Sequence, residues 1–289
     1  MTGVFHFMAI SLDLIFASAK VRLRHRAVNQ LSRPPATTAV ASWLAIGGIL
    51  CASVDPAVAA ETAAPRFTVL VFSKTTGFRH ESIPQGIAAI RALGTEHGFA
   101  VESTEDAARF SDALLRQYKV IVFLSTTGDI LDPDQKTALE RYIRSGGGFV
   151  GVHSASDTEY QWPWYGRLVG AYFASHPQIQ RATIRIEDLG HASTEGLPAT
   201  WERTDEWYNF RSNPRGTVHV LATLDEATYS GGKMGADHPI AWCQEIDGGR
   251  SWYTAMGHTT ESYAEPLFRL HLLGGIESTA GVATGCTSG

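Results

Sequence analysis

Three successive stretches decide the fold: Lys119-Val-Ile-Val-Phe-Leu124, a periodic segment opened by Asp132-Pro133, and Gly146-Gly-Gly-Phe-Val-Gly-Val-His153. The first is apolar throughout at strand length, as a strand buried on both faces requires. Asp132 is a good helix N-cap and Pro133 suits the first helical position. Leu139, Tyr142 and Ile143 then recur at helical spacing up to Ser145, where three glycines stop the helix. Phe149 to Val152 reads as the next buried strand. Working outward, Phe67-Thr-Val-Leu-Val-Phe-Ser73 is another apolar run, Ile83 to His97 has helical spacing and stops at Gly98, and Phe99 to Ser103 is a short strand. This alternation predicts βαβ units, a parallel sheet and right-handed crossovers. Open sheets of this kind bind ligands beyond the carboxyl ends of their strands. Attention therefore falls on the loops Ser73 to His80, Ser125 to Asp129 and His153 to Tyr160.

The C-terminal half has another character. Six of the seven tryptophans lie between Trp162 and Trp252. Ala182 to Glu187 and Val218 to Leu224 read as strands. Ile240 to Ile246 pairs with Ser251 to Met256 across Asp247-Gly248-Gly249-Arg250, a composition that signals a hairpin. Pro266 to Leu273 makes a closing helix. The expected architecture is α/β, a mostly parallel sheet flanked by helices with an antiparallel C-terminal extension. The chain's 289 residues, 44% of them hydrophobic, supply one sizeable core.

The N-terminus reads as a targeting segment. Lys20, Arg22, Arg24, Arg26 and Arg33 form a basic region, followed by an apolar run from Ala39 to Val54 and then Ala57-Val58-Ala59-Ala60. Basic, apolar and small residues in that order are a secretory signal. The run is interrupted by Gly47, Gly48 and Ser53 and is shorter than the ~20 residues of a membrane span, so no stable span is expected after processing. The organisation expected is a signal segment at 1–60, a linker at 61–66, one domain at 67–281 and a loose tail at 282–289. Without residues 1–60 the chain keeps 19 basic against 27 acidic side chains, a net charge of −8. That excludes the basic patch through which nucleic acid is bound. Of the two remaining cysteines, Cys243 sits in a strand and Cys286 in the Gly/Thr/Ser tail. An oxidising compartment permits their pairing, but the loose tail makes free thiols the expectation.

Three runs carry a resemblance to a known family. They are Lys74-Thr-Thr-Gly-Phe-Arg-His80; Gly146 to Asp157, continuing through Trp162-Pro-Trp-Tyr165 to His176-Pro177; and Thr204-Asp-Glu-Trp-Tyr-Asn-Phe210 joined with Asp237 to Trp242 and Gly249 to His258. Together, across Phe67 to Gly281, they resemble the ThuA-like, trehalose-utilisation family. The resemblance implies a flavodoxin-like domain related to class I glutamine amidotransferases. In those enzymes the turn after the Gly-rich strand presents a nucleophilic Cys. Here His153 stands at that position, so a Cys-dependent amidotransferase is excluded on residue grounds. Ser154 is no substitute, since its surroundings are not Gly-x-Ser-x-Gly. The resemblance also implies sugar metabolism, with trehalose-like glycosides or 3-keto-glycosides as substrates.

His80 and His153 stand at strand ends where two loops converge, which favours a functional role over a structural one. His176 is as readily an orienting residue before Pro177. Histidines beside carboxylates suit a divalent metal, with His80, His153 and His176 as weak candidates, yet no pair stands at i, i+4. No cofactor is required by this reading. Asp157, Asp205 and Glu206 are the carboxylates. Trp162, Trp164, Tyr165, Trp207 and Tyr208 form an aromatic-rich set that is either core or a surface for the C–H faces of a sugar. Arg79 and His258 complete the expected binding set, and Arg79 and Arg250 either polarise a carbonyl or anchor loops. The roles assigned are His153 or Asp157 as base, Glu206 as acid, and His80 or Arg79 as electrophilic stabiliser. The expected partner is a small-molecule sugar; a non-catalytic sugar-binding module and a metal-dependent hydrolase are the alternatives. The sequence leaves the oligomeric state open.

Overall fold

The computed structural model describes residues 64–286. The expected signal segment and the first half of the linker lie outside them. Four parallel strands open the domain, β1 (Thr68–Phe72), β2 (Ala100–Thr104), β3 (Val120–Leu124) and β4 (Gly148–Val152). Val69 to Phe72, all of β3, and Phe149, Val150 and Val152 are fully buried, as strands covered on both faces must be. Two helices connect them, α1 (Ile83–His97) and α3 (Pro133–Arg144), with the short α2 (Asp112–Leu115) before β3. The start of α3 is fixed by a capping box: Asp132 accepts from the Gln135 N–H, and the Gln135 side chain accepts in return from the Asp132 N–H.

The remaining elements are α4 (Pro163–Val169), β5 (Phe173–Ser175), β6 (Gln180–Ile186), β7 (Thr200–Asp205), β8 (Asn209–Phe210), β9 (His219–Asp225), β10 (Pro239–Ile246), β11 (Gly249–Thr254) and α5 (Pro266–Ala280). The main sheet runs β2-β1-β3-β4-β11-β10-β9-β6-β7. From β2 to β11 all neighbours are parallel, and beyond β11 all are antiparallel. The extension thus continues the same sheet. Strand order reverses direction between the β1–β2 and β3–β4 connections, so right-handed crossovers place α1 and α3 on opposite faces.

Two features depart from the sequence reading. The closing helix runs past Leu273 to Ala280 because Gly274-Gly275, which look like a stop, are required inside it. A Cβ on Gly275 would lie 2.5 Å from the Trp252 ring, and one on Gly274 would collide with the Ala192–Ser193 backbone. Strand β7 escaped notice because its inward residues are Trp201, Arg203 and Asp205, so its alternation is not one of apolar and polar residues.

The expectation of free thiols is also corrected. Cys243 and Cys286 form a disulfide, with Cα atoms 5.9 Å apart and a sequence separation of 43. The tail is led back by the left-handed Gly281 cap of α5, and the Ala192 N–H donates to the Thr284 carbonyl at 3.1 Å. Closing a loop of this length stabilises by about 4 kcal/mol in the chain-entropy account. Cys286→Ser is accordingly expected to lower the urea midpoint by that free energy, and intact wild type to gain two hydrogens in mass on reduction. Equal midpoints for the two proteins would remove the bridge from the stability of the fold.

Candidate functional site

The loop after β1 is fastened to the loop after β3. The Thr76 N–H donates to the Thr127 carbonyl at 2.9 Å, and Thr127 Oγ1 donates to the Phe78 carbonyl at 2.9 Å. This carries His80 into the crevice, where it is buried. Immediately after β4, His153 adopts φ +52°, an uncommon conformation for a non-glycine residue that turns its ring off the strand end. The Tyr253 hydroxyl donates to the His153 carbonyl at 2.8 Å and holds that turn.

The other two contributors come from the antiparallel half. Strand β7 ends at Asp205, and Glu206 follows it directly. The segment after β11 is drawn towards them, because the N–H groups of Gly257 and His258 donate to the buried Asp205 carboxylate at 2.8 and 3.1 Å. Arg203 lies 3.3 Å from the same carboxylate. Asp205 is thus a support for Glu206 and His258 rather than a group facing the crevice.

His80, His153, Glu206 and His258 meet with one donor atom from each within 4.8 Å of every other. His153 Nδ1 lies 2.8 Å from the Ala255 carbonyl, to which it must donate. In the neutral ring, Nε2 is then a lone pair, facing His258 Nδ1 at 3.1 Å and Glu206 Oε2 at 3.5 Å. Glu206 Oε2 is also 3.0 Å from His258 Nδ1, and Oε1 is 2.9 Å from His176 Nδ1. Burial opposes charge on Glu206, but the neighbouring His153 and His258 outweigh it and hold the carboxyl well below the usual range. Burial, then the neighbouring His153 and His258, push the His80 pKa down to about 2, so this imidazole is neutral. Ring nitrogens from three histidines and a carboxylate oxygen converging on one point are a donor set able to hold a cation. Three imidazoles and a carboxylate suit a first-row divalent metal held at about 2 Å from each ligand. A possible His/Glu metal-binding group is therefore present, and the Ala255 carbonyl is the outer partner that fixes the His153 ring.

Three members of the cluster, His80, Glu206 and His258, line a cavity of ≈190 Å³ together with Phe78, Asp157, Phe173, His176 and Tyr208, while His153 is buried behind them. The Asp157 pKa is raised by burial, although the Tyr160 hydroxyl donates to its carboxylate at 2.6 Å and pulls the other way. Tyr208 stacks near His153 with ring centroids 4.2 Å apart.

The remaining expected site residues stand elsewhere. Tyr165 and Trp207 are fully buried, their polar tips donating to the Ala155 and Gln180 carbonyls. Trp164 is buried against Asp247, and Trp162 packs on Trp164 and lies near Glu140. Tyr165, Trp207 and Trp164 are core groups with no face to offer a sugar, and the half-buried Trp162 is not among the residues lining the cavity of the cluster. Arg79 is engaged by Glu105 on the exposed side of its loop, and Arg250 by the Thr279 carbonyl at the far end of β11. Glu206, held ionised, cannot be the acid. His258, expected at the substrate, belongs to the cluster itself. Phe78 and Phe173 were not singled out from the sequence, though Phe78 stands inside the Lys74–His80 run.

A mostly parallel mixed sheet flanked by helices, with its polar site beyond the strand ends, defines a flavodoxin-like α/β protein. The trehalose-utilisation family, ThuA, matches residues 68–278, and the chain belongs to that family. A ThuA-like protein from Bacteroides uniformis is 26% identical, with 77% of this chain and 94% of that one covered at a TM-score of 0.64. A ThuA-like protein from Parabacteroides merdae is 20% identical, with coverage of 77% and 93% at the same TM-score of 0.64. A cytoplasmic protein from Salmonella typhimurium shares the fold at 11% identity and a TM-score of 0.53, with 73% and 99% covered. No curated protein sequence matches the chain.

Proposed function

We propose that this protein is an exported carbohydrate-active enzyme acting on a trehalose-like glycoside or 3-keto-glycoside, with His80, His153, Glu206 and His258 holding a divalent metal. The observation that carries the reading is the convergence of three imidazoles and one ionised carboxylate, of which His80, Glu206 and His258 line a small cavity. Membership of the trehalose-utilisation family supports the substrate class. The disulfide supports an oxidising compartment, in keeping with the N-terminal signal pattern.

A metal in this position supplies a Lewis acid for a carbonyl or hydroxyl oxygen. Asp157, on the wall beside it and with a raised pKa, is the group suited to proton transfer. With a ketone at C3, Asp157 takes the C2 proton. The C–H electron pair forms a C1–C2 double bond as the glycosidic C1–O bond breaks, and Asp157 returns the proton to the departing oxygen. His80 stays neutral and Glu206 stays charged throughout, so neither exchanges a proton with substrate.

Elemental analysis of the purified full chain, paired with a turnover assay on 3-keto-trehalose, tests the reading. About one equivalent of a first-row divalent metal, and turnover abolished by a chelator and restored by zinc or manganese, is the expected result. Chelator-insensitive turnover without bound metal would leave acid–base chemistry with a metal-free cluster. Binding of the sugar without turnover would make the chain a sugar-binding module.

A further inference from the structure

Phe78 is 66% exposed, unlike the other Phe and Tyr rings around the cavity. Phe173 is half-buried and Tyr208 buried. An exposed aromatic ring on a mobile loop would need no explanation, but this one is fixed. Its carbonyl accepts from Thr127 Oγ1 at 2.9 Å, the preceding Gly77 N–H donates to the same hydroxyl at 3.2 Å, and Thr75 bridges Thr127 in parallel register. The ring stands edge-on to His80 with centroids 4.9 Å apart, at the mouth of the cavity. The fold thus holds an apolar face out in water directly above the polar cluster.

The cavity beneath measures ≈190 Å³, below the roughly 300 Å³ at which ligand pockets ordinarily begin. It takes one sugar ring. A second ring joined through the glycosidic oxygen has to extend past the lining to solvent, along the exposed side of Phe78. We infer that Phe78 is the platform for the leaving-group ring, whose C–H face stacks on it, and that it selects glycosides with a cyclic aglycone over those with a small alkyl group. This rests on the proposed reading of the site as glycoside-active.

The test measures binding and turnover of 3-keto-trehalose and of methyl 3-keto-glucoside by the full chain, wild type, Phe78→Ala and Phe78→Trp. Wild type is expected to prefer the disaccharide. Phe78→Ala should lower its kcat/KM and affinity roughly tenfold, the size of one aromatic stack, and leave the methyl glycoside unchanged. Phe78→Trp should keep the preference. Equal losses on both sugars, or an unchanged ratio in Phe78→Ala, overturn the role of Phe78 while the glycoside reading stands. Loss of a dimer in sedimentation with an unchanged ratio reassigns the ring to self-association and likewise overturns it. Wild type that neither binds nor converts either sugar overturns the glycoside reading, and this inference with it.

Discussion

Moving from pH 7 to pH 5 should destabilise the folded chain by about 4 kcal/mol through two histidines far from the cavity. His191 and His271 are buried within β11–α5 packing, and burial pushes their pKa values down to about 4 and about 3. Folded, both are neutral at pH 5. Unfolded, each binds a proton below its ordinary value of about 6.5. The unfolded state therefore carries more protons between pH 6.5 and about 4, and stability falls as pH falls through that window. Each group contributes about 2 kcal/mol between pH 7 and 5, a large share of the ~5–15 kcal/mol by which domains are stable. His80, neutral in the fold with its pKa lowered by burial to about 2, adds to the fall in the same sense. His258 works in the opposite sense: burial disfavours its charge, but Glu206 raises its pKa above the ordinary value, so protonation favours the fold. Glu206, with a depressed pKa, loses its contribution only as pH drops below the ordinary carboxylate range of about 4.5. Urea midpoints at pH 7, 6 and 5 measure the sum. A flat midpoint would mean that His191 and His271 are not held neutral in the fold.

The largest effect on function is expected from Glu206→Gln, which keeps the side chain's shape and removes the single negative charge among three imidazoles. Bound divalent metal should fall from one equivalent to a small fraction. Turnover should fall by at least the roughly 100-fold that changes in the outer shell of a metal site can reach. Because Glu206 is what raises the His258 pKa, the same variant stripped of metal should show His258 titrating at lower pH in its imidazole C–H resonances. Wild-type metal content with an unmoved His258 titration would show that Glu206 neither ligates nor charges the cluster.

Much of the parallel half was legible because burial on both faces forces an unbroken apolar run. Helix α1 falls at Ile83–His97, as its spacing and Gly98 predict, and α3 starts where Asp132-Pro133 places it. The antiparallel half hides its pattern. Arg203 and Asp205 point inward on β7 as a buried ion pair, so hydropathy gives no period to follow. His80 and His153 were found from their positions at strand ends. Their meeting with Glu206 and His258 depends on Asp205 pulling the Gly257–His258 segment across, a contact between residues 52 and 53 positions apart that no local spacing records. The tryptophan-rich stretch misled for a related reason: a Trp whose N–H finds a partner inside, as Trp207 does at the Gln180 carbonyl, packs in a core as readily as at a wet surface.

The position of β11 has a consequence for how the chain must be made. It lies between β4 and β10 yet is composed of residues 249–254. As the polypeptide emerges from the ribosome, β2, β1, β3 and β4 can assemble early, but β4 then presents Phe149-Val150-Gly151-Val152 as an open apolar edge for the next hundred residues of synthesis. Such an edge is a template for pairing between nascent chains. The β4 edge stays open until the C-terminal hairpin arrives, and a fragment ending before residue 249 is expected to be aggregation-prone.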